Sequence, residues 1–215
     1  MELHRRHEHS PFRSWQAFSV EIATIVIGVV IALSFEGVRE WQHNRALAAE
    51  ARETIVRELA ENKSAVESDV KSAPRRQSEL KNALRYVDDM LQAGKTSIHQ
   101  IGLNASWGDL RRSGWSTAQQ TGALAHMTYA EVQSFAAVYD LQDIYVAQQR
   151  RSLEHLSDAF VLVEGGVADP ETAKKPDLEP FRERLLTMRA DIYMEQQLAS
   201  QLLERYAHVL KDRVQ

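Results

Sequence analysis

The chain contains no cysteine and only five prolines and nine glycines among 215 residues. The lack of cysteine excludes a disulfide framework and a thiolate metal site, and fits a domain that needs neither; it does not fix a compartment. No strong positive balance exists either. A net charge of −4 gives no basic footprint for nucleic acid, so none is expected as a partner. Catalytic signatures are missing as well: there is no Gly-rich phosphate loop, no His-Glu-x-x-His and no Gly-x-Ser-x-Gly. His43, His99, His126, His155 and His208 are scattered, with no pair at i, i+4. Asp88-Asp89 and Asp140/Asp143 read as solvated faces rather than cation ligands. The sequence therefore assigns no catalytic residue, no cofactor and no metal ligand, and reads as non-enzymatic. Apolar β-branched alternation is absent outside one stretch, which leaves an all-α class.

That stretch lies between Trp15 and Trp41. From Ala17 to Phe35 it holds one charge and no proline. As a helix it spans roughly 28 Å, close to the ~30 Å hydrocarbon layer, and the two tryptophans fall about 39 Å apart, at headgroup level. Trp15 and Trp41 therefore read as interfacial anchors. From Ile22 to Leu33 only Thr24 is polar, and its hydroxyl can bond a carbonyl one turn back. The flank Ser34 to Val38 is a poor cleavage site, so an uncleaved anchor is expected rather than a signal peptide. Glu21 is an intramembrane acid that snorkels to the interface or pairs with Arg13, or else faces a partner helix or pore. Thr24, Gly28 and Ala32, spaced by four, form a small-residue ridge suited to association of membrane helices. Arg5, Arg6 and Arg13 on one side, against Arg39 and Arg45 on the other, favour a cytoplasmic N-terminus and a periplasmic C-terminal domain. His4, His7 and His9 sit in the tail without second-shell support and are not assigned a metal.

Residues 1–14 thus read as a short basic tail, 15–41 as a transmembrane helix with its flanks, and 42–215 as one helical bundle domain. Ala48, Ala51, Ile55, Leu59, Asn62, Val66 and Val70 recur by threes and fours, with Asn62 as a polar interruption able to fix register. Ser72-Ala73-Pro74 is expected to end that helix and start a second, which stops at Gly94. A short helix is expected near Trp107–Arg112, and another from Gly114 to about Met127. Thr128 and Glu131 form a capping box that opens a long helix to about Glu164. Its heptad runs through Val132, Phe135, Tyr139, Gln142, Val146, Gln149, Leu153, Leu156, Phe160 and Val163. After a polar connector over Lys174–Pro180, a final helix buries Phe181, Leu185, Met188, Ile192, Ala199, Leu202, Tyr206 and Val209. The expected fold is one N-terminal transmembrane helix continuing into an elongated antiparallel helical bundle.

The mixture of aromatics and amides at Trp115, Gln119, Gln120, His126, Met127, Tyr139 and Gln142 forms either a packed bundle cap or a small-molecule pocket; for the pocket the residues are Trp115, Gln119, His126, Tyr139 and Gln142. The runs Glu21-x-x-x-Ile25 to Leu33, Gly114-Trp115-x-x-Ala118-x-x-Thr121-Gly122-Ala123-Leu124 and Tyr139-x-Leu141-Gln142 carry a resemblance. With them the chain resembles a group of uncharacterised bacterial single-pass membrane proteins with an N-terminal anchor and an all-helical soluble domain. The resemblance covers anchor and soluble part. It implies an inner-membrane topology and a helical fold, and transfers no site residues. The function expected is a structural or accessory subunit in membrane lipid that forms a homo-oligomer or joins other membrane-protein subunits. The alternatives are a ligand-binding sensory module and an oligomeric ion conductor using Glu21.

Overall fold

The described residues of the computed structural model, 15–104 and 108–211, are helical or irregular, with no strand among them. Helix α1 runs from Trp15 to Ala93, α2 from Ser113 to Gln120, α3 from Tyr129 to Leu162 and α4 from Lys175 to Lys211. A 3-10 turn at Ala123–His126 follows α2, and a π-helical turn at Val163–Val167 follows α3. The chain forms two compact units, Met1–Ala49 and Glu50–Gln215.

In the first unit the apolar stretch is a helix with nothing packed on it. Its most apolar 18 residues have a mean hydropathy of 2.3 and none is buried. Polar groups along it are satisfied locally: Ser19 Oγ donates to the Trp15 carbonyl, Thr24 Oγ1 to Val20 and Ser34 Oγ to Val30, at 2.7–2.9 Å. A hydroxyl bonded one turn back removes a donor that would otherwise need water. Glu21, Gly28 and Ala32 are exposed, and a side-chain carbon built at Gly28 meets nothing within 4 Å. Trp15 and Trp41 are exposed, and the Arg45 guanidinium lies 5.4 Å from the Trp41 ring centre. Arg13, the candidate partner of Glu21, and the rest of the basic tail fall outside the described residues.

In the second unit the helices pack as an antiparallel bundle, with α4 running against both α1 and α3. Arg76 pairs with Glu195 and Asp88 with Arg182, so α1 and α4 count in opposite directions. Gln148 bonds Asp191 and Gln142 bonds Tyr206, which does the same for α3 and α4. Arg52–Glu131, Glu58–Tyr139, Asn62–Gln142 and Asp69–Gln149 rise together, so α1 and α3 share a direction. The chain must therefore return along α1 before α3 begins, and the described residues of that return form no helix or strand. Ile98, Ile101 and Leu103 pack on the core cluster that holds Leu80, Tyr86 and Met90. Gly108 then reaches Asp69, Arg111 reaches Asn62 and Gly114 reaches Glu58. Extended chain makes this return economically: a helical rise of about 48 Å is covered by about 15 extended residues.

Several boundaries differ from those expected. Pro74 does not end α1. Its ring removes one bond, to the Val70 carbonyl, but Pro74 and Val70 are both exposed, so water can take that carbonyl. Buried Ala73, Arg76 and Leu80 hold the following turns in register. Val70 leaves the stripe, and Asp69 and Ala73 occupy the buried face instead. Residues 108–112 are irregular rather than helical, and Trp107 lies outside the described residues. The expected helix from Gly114 to Met127 is divided at Gly122, whose φ of 74° breaks α2 from the 3-10 turn. Thr128 Oγ1 does cap α3, accepting from the Glu131 amide at 3.3 Å, while the Glu131 carboxylate forks onto Arg52. On α3 the strict heptad drifts off the core, leaving Leu153 52% and Phe160 41% exposed. Helix α4 begins at Lys175, so most of the expected Lys174–Pro180 connector is its opening turns. Buried Leu178 and Phe181 anchor those turns, and Pro180 forfeits a single bond near the helix start.

Candidate functional site

The core of the second unit is unusually polar. Glu58, Asn62, Asp69 and Arg76 on α1 are all buried, the last three at intervals of seven. They face Tyr139, Gln142, Tyr145, Gln148, Gln149 and Ser152 on α3, and Asp191, Glu195 and Tyr206 on α4, again all buried. Buried polar groups persist only with partners. Here the partners are in large part backbone groups of the irregular return segment.

Glu58 serves the start of α2. Its Oε2 accepts from the Gly114 amide at 2.7 Å and Ser113 Oγ at 3.0 Å; its Oε1 accepts from Tyr139 Oη at 2.5 Å and the Trp115 amide at 3.4 Å. Arg112, the residue before α2, offers no side-chain cap, and the first turn carries no acid. A carboxylate from another helix thus does the work of an N-cap and of a negative charge at the helix's positive end. Gly114 suits this approach, because a side-chain carbon there would lie 3.1 Å from Thr54 Cγ2 and 3.4 Å from the Glu58 carboxylate, a tight fit to both. Burial, followed by the hydrogen bond to Glu58, pushes the Tyr139 hydroxyl far above its usual range, so it stays a donor.

Asn62 pairs with Arg111 as a neighbouring strand would. Its Oδ1 accepts the Arg111 amide at 2.8 Å, and its Nδ2 donates to the Arg111 carbonyl at 2.7 Å and to Gln142 Oε1 at 3.0 Å. Gln142 Nε2 also donates to that carbonyl at 3.0 Å, and Tyr206 Oη donates to Gln142 Oε1 at 2.9 Å. Asp69 holds the next point: Oδ1 accepts the Gly108 amide at 3.0 Å, and Oδ2 accepts Gln149 Nε2 and Tyr145 Oη at 3.2 and 3.3 Å. At Gly108 a side-chain carbon would come within 2.8 Å of Ala65 Cβ, so the backbone approaches α1 as closely as glycine allows. Burial raises the Asp69 carboxyl, and its three hydrogen bonds and Arg76 offset part of that.

Further along, Arg76 Nη1 donates to Glu195 Oε2 at 2.9 Å. Asp191 accepts from Gln148 at 3.1 Å and contacts His155 Nδ1 at 2.7 Å. Arg76, Asp191 and Glu195 border a cavity of about 30 Å³, also lined by Ser152, Leu156 and Met188. That volume suits a water molecule or two rather than an organic ligand. Arg76 Nε is buried there without a hydrogen-bond partner.

Of the pocket candidates, the fold brings together Trp115, Tyr139 and Gln142. Trp115 stacks on Tyr139 at 5.2 Å between ring centres, tilted by 21°. Gln119, Gln120 and His126 are exposed on the outside of α2 and the following turn, and Met127 is half-buried. Among the described residues no group of three or more His, Asp or Glu side chains is placed to hold a metal ion. Glu58, Asp69, Arg76, Asp191 and Glu195 carry the site and were not singled out by sequence reasoning. Their signal was positional: Glu195 fills the gap between Ile192 and Ala199, and Asp69 the gap between Val66 and Ala73.

No protein-family model, curated protein or solved structure matches this chain.

Two outcomes follow for the polar core. Asn62→Ala strands the Arg111 amide and part of the Gln142 amide, and is expected to lower unfolding stability by about 2–4 kcal/mol in denaturant titration of the detergent-solubilised chain. A change below 0.5 kcal/mol would show that these groups find other partners. Asp69 has a folded-state pKa above its unfolded value, so its contribution favours the fold most below the unfolded pKa and declines as pH rises through the folded one. Stability of the native chain relative to Asp69→Asn should therefore fall as pH is raised from about 4 toward neutrality. A constant difference across that range would contradict the assignment.

Proposed function

We propose that this chain is a single-pass membrane protein, non-enzymatic, whose helical bundle serves as a structural or accessory subunit that associates with itself or with other membrane-protein chains. The observation that carries the membrane reading is the wholly exposed apolar run of α1, with a hydropathy of 2.3 and no packing partner. From Phe18 to Val38 it presents Val20, Ile22, Ile25, Val26, Ile27, Val29, Val30, Ile31, Leu33 and Phe35 with 46–75% of each exposed. A patch of that extent is unfavourable in water and favourable in a bilayer. The locally bonded hydroxyls of Ser19, Thr24 and Ser34 support lipid as the surroundings. In this reading Trp15 and Trp41 are headgroup anchors, and Thr24, Gly28 and Ala32 are the ridge along which spans approach. The bacterial inner membrane, with a cytoplasmic tail and a periplasmic bundle, is the topology that the arginine distribution favours.

The subunit reading is supported by what the buried polar groups do. Both oxygens of Glu58 and of Asp69 are committed to bonds inside the fold. Groups bonded in this way hold a shape rather than stand free as an acid or base. The test is fractionation of the full chain expressed in a bacterium, with a carbonate wash and N-terminal sequencing. The expected result is an intact chain that stays in the membrane pellet until detergent is added. A soluble chain shortened past residue 35 would instead make the apolar run a cleaved signal and remove the anchor.

A further inference from the structure

Between α3 and α4 lies a groove of about 600 Å³, bordered by Ala137, Asp140, Leu141 and Ile144 from α3 and by Glu204 and Arg205 among others from α4. No residue of α1 or of the return segment borders it. The Trp115–Tyr139 stack, the polar ladder and the small cavity at Arg76 all lie among other residues. Two observations point to a protein occupant. First, Ile144 is 55% exposed at the groove beside half-buried Ala137 and Leu141, an apolar strip at helical spacing with nothing on it. Second, Asp140, Glu204 and Arg205 border this strip without making an ion pair with any described residue. Several other surface charges of the bundle do pair within the chain, as in Arg111–Glu61, Arg112–Asp143 and Arg182–Asp88.

We propose that this groove is where a second copy of the chain docks, α3 and α4 of one copy packing on α3 and α4 of the other about a two-fold axis. The inference rests on the self-association in the reading above and names its surface. The groove carries both signs of charge beside an apolar strip, so it is complementary to itself: Arg205 of each copy meets Asp140 of the other, and the Ile144 strips close over each other. A two-fold contact is isologous and demands that kind of self-match. A partner of one charge sign would set like charges together at one wall. Anchoring both copies in one bilayer raises their effective concentration and lets a modest surface suffice.

The absence of native cysteine makes disulfide mapping on the full chain clean. Ile144→Cys, extracted in mild detergent and oxidised, is expected to give mostly crosslinked dimer. Ser157→Cys, on an exposed position of α3 away from the groove, should give at least tenfold less. Adding Arg205→Glu to Ile144→Cys should lower the crosslink yield at least tenfold, and adding Asp140→Arg to that variant should restore it, an outcome that simple loss of folding cannot produce. An oligomeric particle whose Ile144→Cys crosslinks no better than Ser157→Cys overturns the groove assignment and leaves the subunit reading standing. A foreign chain crosslinked at Ile144→Cys, or a yield indifferent to Arg205→Glu, also overturns it. A monomeric particle with no companion chain overturns both.

Discussion

An irregular segment packed against a helical core must find partners for its own amides and carbonyls. That constraint organises the bundle domain. Helices α1 and α3 point the same way, so the chain between them has to come back along the bundle, and it comes back without a ladder of its own. Each buried amide left without a partner would cost about 1–3 kcal/mol. Glu58, Asn62 and Asp69 meet this demand from one face of α1, and Tyr139, Gln142, Tyr145 and Gln149 complete their remaining valences from α3. The buried carboxylates are tolerated because they accept several hydrogen bonds each; the raised pKa of Asp69 shows what burial does where those bonds compensate only in part.

The same arrangement explains where glycine is needed. Gly108 lies against Ala65 with no space for a side chain, and Gly114 lies tightly against Thr54 and Glu58. They mark where backbone touches helix. A polar ladder of this kind also sets register: sliding α3 by one turn would separate Glu58 from Tyr139 and Asn62 from Gln142 together, an energetic gap that leucine layers alone would not give.

Much of the architecture was legible because apolar period and cap chemistry are local. The all-α class, the exposed apolar run, the Thr128 cap and the α4 stripe from Phe181 to Val209 all rest on such signals. Asn62, Gln142 and Tyr139 were legible as polar or aromatic members of otherwise apolar stripes, and Trp115 as part of the aromatic and amide mixture. Glu58, Asp69, Arg76, Asp191 and Glu195 were not, since a charge on a helix is ordinarily solvated and only tertiary partners reverse that. Gln119 and His126 looked like neighbours of Trp115 by chemistry, but Gln119 on α2 and His126 on the 3-10 turn are exposed while Trp115 and Ala118 face in. Pro74 was misleading for a related reason: its penalty is local and modest on an exposed face, and the buried residues on either side outweigh it.

Buried side chains of α1, rather than solvent, hold the backbone of the return segment. Amide hydrogen exchange on the full chain in detergent tests it most directly, read at Gly108, Arg111 and Gly114. Protection at all three is expected to be comparable to amides inside α3, with selective loss at Arg111 in Asn62→Ala and Gly114 still protected by Glu58. Exchange at these amides as fast as in an unstructured peptide would contradict it, because the segment would then be open to water and the buried ladder would lack the role assigned to it.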